Sequence, residues 1–114
     1  MERIDTVVFD APGCLVDEQG RFYEDVIPVL VELRAMGVEI FLASPELACE
    51  PARAIYLTAT ESGLKTAKAA GFHAVLMMND PDESRRLAML EPAGGIVSLH
   101  ELPDFLRLVA AQNR

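Results

Sequence analysis

The chain reads as a single α/β domain spanning residues 1–114, three layers deep (α/β/α), around a mainly parallel sheet of about five strands. Three observations predict this. A length of 114 residues suits one hydrophobic core and leaves little room for a second. Short apolar runs alternate with segments of helical periodicity, which is the pattern of repeated βαβ units. Turn and cap residues punctuate the alternation at nearly every junction.

Thr6 to Phe9 is a wholly apolar strand that ends at Asp10, and Asp10-Ala11-Pro12-Gly13 is a turn. A helix is expected from Val26 to Met36, with Asp25 at its N-cap, Pro28 in its first turn and Gly37 as its stop; Phe22, Val26, Leu30 and Leu33 would form its buried stripe. Val38 to Ala43 is the second strand, ending at Ser44-Pro45, and the short stretch Pro45 to Arg53 leads to a third strand, Ala54 to Thr58. Thr60 caps a helix over Glu61 to Ala70 that stops at Gly71, and a fourth strand runs from Ala74 to Met78. Asp80 and Glu83 have capping-box spacing, and Pro81 suits the first position of a helix that reaches about Leu90. Gly94-Gly95 breaks the pattern before a short strand, Ile96 to Leu99, and a closing helix, Pro103 to Gln112, turns Phe105, Leu106 and Val109 inward. In a parallel sheet covered on both faces, function gathers at the carboxyl ends of the strands, here Asp10, Ser44, Thr58 to Thr60 and Met78 to Asp80.

Composition narrows the classes. At 51% hydrophobic and 25% charged, the chain carries enough apolar surface to fold unaided. A formal charge of −8, with no basic block beyond Arg85-Arg86, argues against a nucleic-acid partner. Cys14 and Cys49 lie in separate segments with no metal-type spacing, and read as free thiols of a reducing compartment. The start, Met1-Glu2-Arg3-Ile4-Asp5, has no signal-peptide character and no apolar run reaches membrane-spanning length, so the expectation is a cytoplasmic protein that does not meet a membrane.

Val7-Val8-Phe9-Asp10-Ala11-Pro12-Gly13-Cys14-Leu15-Val16 resembles the first motif of the haloacid dehalogenase (HAD) superfamily, an apolar strand followed by Asp-x-Asp-Gly-Thr-Leu; Asp10, Gly13 and Leu15 match it. Ile40-Phe41-Leu42-Ala43-Ser44 is similar to the second motif, a strand ending in a Ser or Thr that holds the phosphoryl group. Residues 54–76 resemble the fourth-motif region, and Ser98-Leu99-His100-Glu101-Leu102 is similar to the tail of many members. The resemblance covers nearly the whole chain and implies a minimal, capless, Rossmann-like (HAD-like) domain. It also implies that the first Asp attacks phosphate, that the Asp two residues on is the general acid and base, and that a Lys and the fourth-motif acids organise Mg²⁺.

The chain departs from that pattern at its chemistry. Pro12 stands where the second Asp belongs, Ala59 and Gly63 align with the fourth-motif acids, and the segment that would carry the Lys has shrunk to Pro45 to Arg53. Loss of a general acid alone costs on the order of 10²–10⁴ in rate. Three readings stay open. The leading one is a catalytically degenerate phosphatase-like domain kept as a binding or regulatory module, with no cofactor expected and Asp10 serving as a turn former. The second is a weak Mg²⁺-dependent hydrolase with Asp10 as nucleophile, and with Asp10, Glu46 and Glu61 as the metal ligands. The third is a phosphate or phospho-ligand sensor that uses Ser44 and the amides near Gly13.

Cys14 is expected to be a packing residue, because Arg21 lies one position beyond the Cys-x5-Arg spacing of cysteine phosphatases. His73 and His100 lack partners at ligand spacing and read as structural. With the second connection so short, Val38 to Ala43 becomes an apolar sheet edge that needs cover, from a protein partner or from a second copy in a homo-oligomer.

Overall fold

The computed structural model describes residues 4–44 and 49–112. Its centre is a five-stranded sheet in the order β2-β1-β3-β4-β5, with every neighbouring pair parallel. The strands are β1 (Thr6–Phe9), β2 (Glu39–Leu42), β3 (Ala54–Thr58), β4 (His73–Met77) and β5 (Gly94–Ile96), and the helices are α1 (Val26–Ala35), α2 (Glu61–Ala70), α3 (Pro81–Ala88) and α4 (Leu102–Gln112). This is a small three-layer α/β Rossmann-like fold. No helix among the described residues is long and apolar enough to cross a membrane.

The apolar strands follow from the layering. Side chains alternate between the faces of a strand, so a central strand covered twice must be apolar at every position. Val7 and Phe9 of β1, Ile55 and Leu57 of β3, and Val75 and Met77 of β4 pack with Val26, Val29 and Leu33 of α1 and Leu102 and Leu106 of α4. Val8, Tyr56, Ala74 and Leu76 face the other way, onto Leu64 and Ala67 of α2 and Leu87 of α3. Each fully buried Leu or Ile on these faces contributes about 1.5–3 kcal/mol. From β1 the chain crosses to one side by α1, and from β3 to the other side by α2 on the opposite face, as right-handed crossovers require. The tips of β1 and β3 therefore flank the point where the connections diverge, which is where an open α/β sheet has its crevice.

Three local readings are corrected. Phe22 is not in the stripe of α1; it is 63% exposed, and Val29 takes the buried position beside Val26 and Leu33. Phe22 lies before the helix, in a hairpin where Val16 bridges it and Asp17 Oδ1 accepts the Gln19 and Arg21 amides at 2.9 and 3.0 Å, so helical spacing does not apply to it. Asp25 precedes α1 as expected but makes no capping bond; its carboxylate instead meets Ser98 Oγ at 3.5 Å. The last strand begins at Gly94, so Gly94-Gly95 lies within it. A Cβ on Gly94 would come within 2.8 Å of the Phe105 ring, so the glycine that reads as a breaker is what allows α4 to close over β5. Ser98 and Glu101 then form a capping box at the start of the turn into α4.

Candidate functional site

Asp10 sits at the tip of β1, half-buried, with its amide donating to Leu57 O of β3 at 2.9 Å. Thr58, fully buried at the tip of β3, donates its hydroxyl to Asp10 Oδ2 at 2.8 Å, and the Thr60 hydroxyl reaches the same oxygen at 3.5 Å. Thr60 is also the N-cap of α2, where its hydroxyl oxygen accepts the Gly63 amide at 3.0 Å, and the Thr60 amide donates to Thr58 Oγ1 at 3.2 Å. The carboxylate thus closes a hydrogen-bonded clamp between two strand tips and the first turn of α2, where the helix dipole favours a negative charge.

Gly63 completes the clamp by having no side chain. A Cβ there would stand 2.1 Å from Thr58 Oγ1 and 2.6 Å from Asp10 Oδ2, well inside any real contact. Ala59, the other position that the resemblance would give to an acid, packs against Gly13: a Cβ on Gly13, which has φ 79°, would lie 2.8 Å from the Ala59 Cβ. Pro12 is exposed and has neither an acid nor an N–H to offer.

The turn after Asp10 spends its amides internally. The Gly13 N–H donates to Val16 O at 3.1 Å, and the Cys14, Leu15 and Val16 amides all donate to Ala11 O. Asn79 Nδ2 ties the turn to the tip of β4 through Gly13 O at 2.7 Å. The expected use of the Gly13 amide on a phosphate therefore meets a donor already engaged.

Ser44 is exposed and shares a groove with Asp10, Ala43, Cys49, Tyr56 and Phe72, whereas Gly13 lines a separate groove with Tyr23, Asp25 and Ser98. Asp10 and Ser44 are brought together; Gly13 and Ser44 are not. No Lys or Arg is among the described lining residues of the Asp10 groove, so a phosphoanion would meet the Asp10 carboxylate with no lining cation to offset it.

Of the three expected Mg²⁺ ligands, the described residues do not bring Glu61 to Asp10. Glu61 is turned away, held by Arg86 Nη1 at 2.8 Å and Lys65 Nζ at 3.8 Å; the Arg86 hydrogen bond, then the charges of Lys65 and Arg86, hold its carboxyl below the usual range. Glu46 lies outside the described residues. Among the described residues, no three His, Cys, Asp or Glu side chains gather where they could hold a metal.

Cys14 is buried and its thiol is pushed up to about 12, by burial first and by the Asp10 charge second, so it is protonated at neutral pH and packs as a small apolar group. Burial, then Asp10, also raises the Tyr56 hydroxyl, which remains neutral. His73 Nε2 meets Ala52 O at 2.9 Å and His100 Nε2 lies 3.8 Å from Asp25, both peripheral to the site.

The clamp roles of Thr58 and Thr60 were beyond sequence reasoning. Thr60 is legible as a helix cap, but its reach to Asp10 depends on the pairing of Phe9 with Leu57, which local patterns do not encode. Comparison of the chain with protein-family models, with curated proteins and with solved structures finds no match in any of the three.

Proposed function

We propose that the chain is a catalytically degenerate HAD-like domain that serves as a binding or regulatory module rather than as a phosphatase. The observation that carries this reading is the engagement of Asp10: its Oδ2 accepts from Thr58 and faces Gly63, where a side chain has no room. Oδ2 alone is engaged, so the case against a nucleophile rests on the acid that should stand beside it. Here the carboxylate joins β1, β3 and α2, and the position two residues on is a proline. Free thiols at Cys14 and Cys49 suit a cytoplasmic setting.

The hydrolase reading, with Mg²⁺ on Asp10, and the phosphate-sensor reading, with Ser44 as the binder, remain the alternatives. Thermal unfolding with Mg²⁺ and with inorganic phosphate separates them, because a ligand at 100 times its Kd adds about 2.7 kcal/mol to stability. The expected result is no rise in Tm with either ion beyond that seen in NaCl of equal ionic strength. A rise with Mg²⁺ that disappears in Asp10→Asn would favour the hydrolase, and a rise with phosphate that disappears in Ser44→Ala would favour the sensor.

A further inference from the structure

The clamp uses only one oxygen of the Asp10 carboxylate. Both hydroxyls that reach it, from Thr58 and Thr60, meet Oδ2. Among the described residues nothing donates to Oδ1, and none of their buried side-chain polar atoms lacks a hydrogen bond, so Oδ1 lies open rather than orphaned. A carboxylate is an acceptor at both oxygens, and here one of the two is left for a ligand.

The groove that Asp10 lines has a volume of about 540 Å³, within the range of small-ligand sites. Its wall is mixed. Tyr56 and Phe72 bring two rings, 5.3 Å apart and tilted by 51°, with Ala70 as further apolar surface, while Ser44 and Thr66 bring hydroxyls. No Lys or Arg joins them among the described residues, so the carboxylate has no counter-charge in the groove. The surroundings add to the negative field. Burial first, then the charges of Glu39 and Glu50, raise the Cys49 thiol on the same wall, and burial followed by the Asp10 charge raises the Tyr56 hydroxyl.

We propose that this groove binds a small organic ammonium ion, whose N–H groups donate to Asp10 Oδ1 and whose apolar body lies against Tyr56 and Phe72. This ligand class deepens the binding-module reading and rests on it. Each other class meets a specific mismatch. An anion would face the carboxylate with no lining cation to offset it. A guanidinium favours two parallel bonds to both oxygens of a carboxylate, and Oδ2 already accepts from Thr58. A Mg²⁺ ion keeps several of its waters and takes carboxylates as its protein ligands, so rings and methyl groups add nothing for it. A neutral apolar molecule would cover a charge without pairing it. An ammonium has three donors and no acceptor, so it pairs with Oδ1 and keeps N–H groups for the hydroxyl oxygens of the wall. Aromatic rings attract it further.

The test is an NMR titration of the purified chain with phenethylamine, beside phenethyl alcohol and hydrocinnamate as its neutral and anionic counterparts. Saturable amide shifts with the amine are expected at the residues that line the groove, and the alcohol and the acid should bind at least about tenfold more weakly. Asp10→Asn keeps an acceptor for Thr58, and Thr66→Lys sets a cation on an exposed position of the wall. Each should weaken amine binding at least about tenfold while the spectrum stays that of the folded chain. Equal binding of amine and alcohol, or amine binding undiminished in either variant, would overturn the proposal. So would displacement of the amine by Mg²⁺ beyond that seen in NaCl of equal ionic strength, which would give the open oxygen to a metal. No binding of the amine would overturn it too, and would leave the absence of phosphatase turnover, a separate measurement, unaffected.

Discussion

Gly63→Ala is the substitution that most sharply separates a packed clamp from an ordinary helix. In an unconstrained helix, replacing glycine by alanine gains about 1 kcal/mol of propensity. At Gly63 the new methyl would stand 2.1 Å from Thr58 Oγ1 and 2.6 Å from Asp10 Oδ2, and neither neighbour is the loose end of a long side chain. Relieving the overlap costs about 1–3 kcal/mol, and pulling Thr58 off a charged acceptor costs about 1.5–3 kcal/mol more. Set against the gain in propensity, the net loss is about 1.5–5 kcal/mol. With an unfolding entropy of about 2.1 cal/mol/K per residue over 114 residues, each kcal/mol is worth about 4 °C, so Tm should fall by roughly 6–20 °C. Calorimetry of the single variants and of Gly63→Ala/Thr58→Ala completes the test, because Thr58→Ala removes the nearest obstructing atom. The double variant should lose less than the sum of the singles by at least about 1 kcal/mol. A Gly63→Ala protein that melts higher than the parent, or strictly additive losses, would refute the clamp.

The same geometry sets three further expectations. Asp10→Ala leaves the fully buried Thr58 hydroxyl without its acceptor and should cost about 1–3 kcal/mol in urea denaturation, whereas Asp10→Asn retains an acceptor oxygen and should cost less. With Ellman's reagent the native protein should release one fast equivalent from the half-buried Cys49 and the second, from Cys14, only on unfolding; Cys49→Ser should abolish the fast phase. Glu61, with its carboxyl held low first by the Arg86 hydrogen bond, stabilises the fold above its unfolded value, and that contribution is lost as pH falls through the lowered one. Arg86→Ala should therefore raise the Glu61 titration midpoint seen by NMR, and any stability difference from the parent at neutral pH should fade in acid.

Sequence patterns carried the fold because α/β architecture is written in local signals. Four of the strands were legible as apolar runs, and α2 was legible to the residue because Thr60 and Gly71 mark its ends chemically; Gly71 takes the left-handed conformation at φ 89°. The errors fell where tertiary contact overrides local preference. Gly94 reads as a breaker until Phe105 is laid over it, and Phe22 reads as helical until the hairpin with Val16 withdraws it. The site was legible in its parts and not in its connections. Asp10, Ser44 and Thr58 to Thr60 could all be placed at strand ends, but the closure of Thr58 on Asp10 requires the register of β1 against β3. Likewise the internal use of the Gly13 to Val16 amides depends on turn geometry that Pro12-Gly13 suggests without defining.

The most direct test of the central claim, that Asp10 is a structural carboxylate and not a nucleophile, is hydrolysis of a generic aryl phosphate by the purified chain with and without Mg²⁺, alongside Asp10→Asn prepared in the same way. Both proteins should stay at the buffer blank in either condition. Turnover that requires both Mg²⁺ and Asp10 would contradict it.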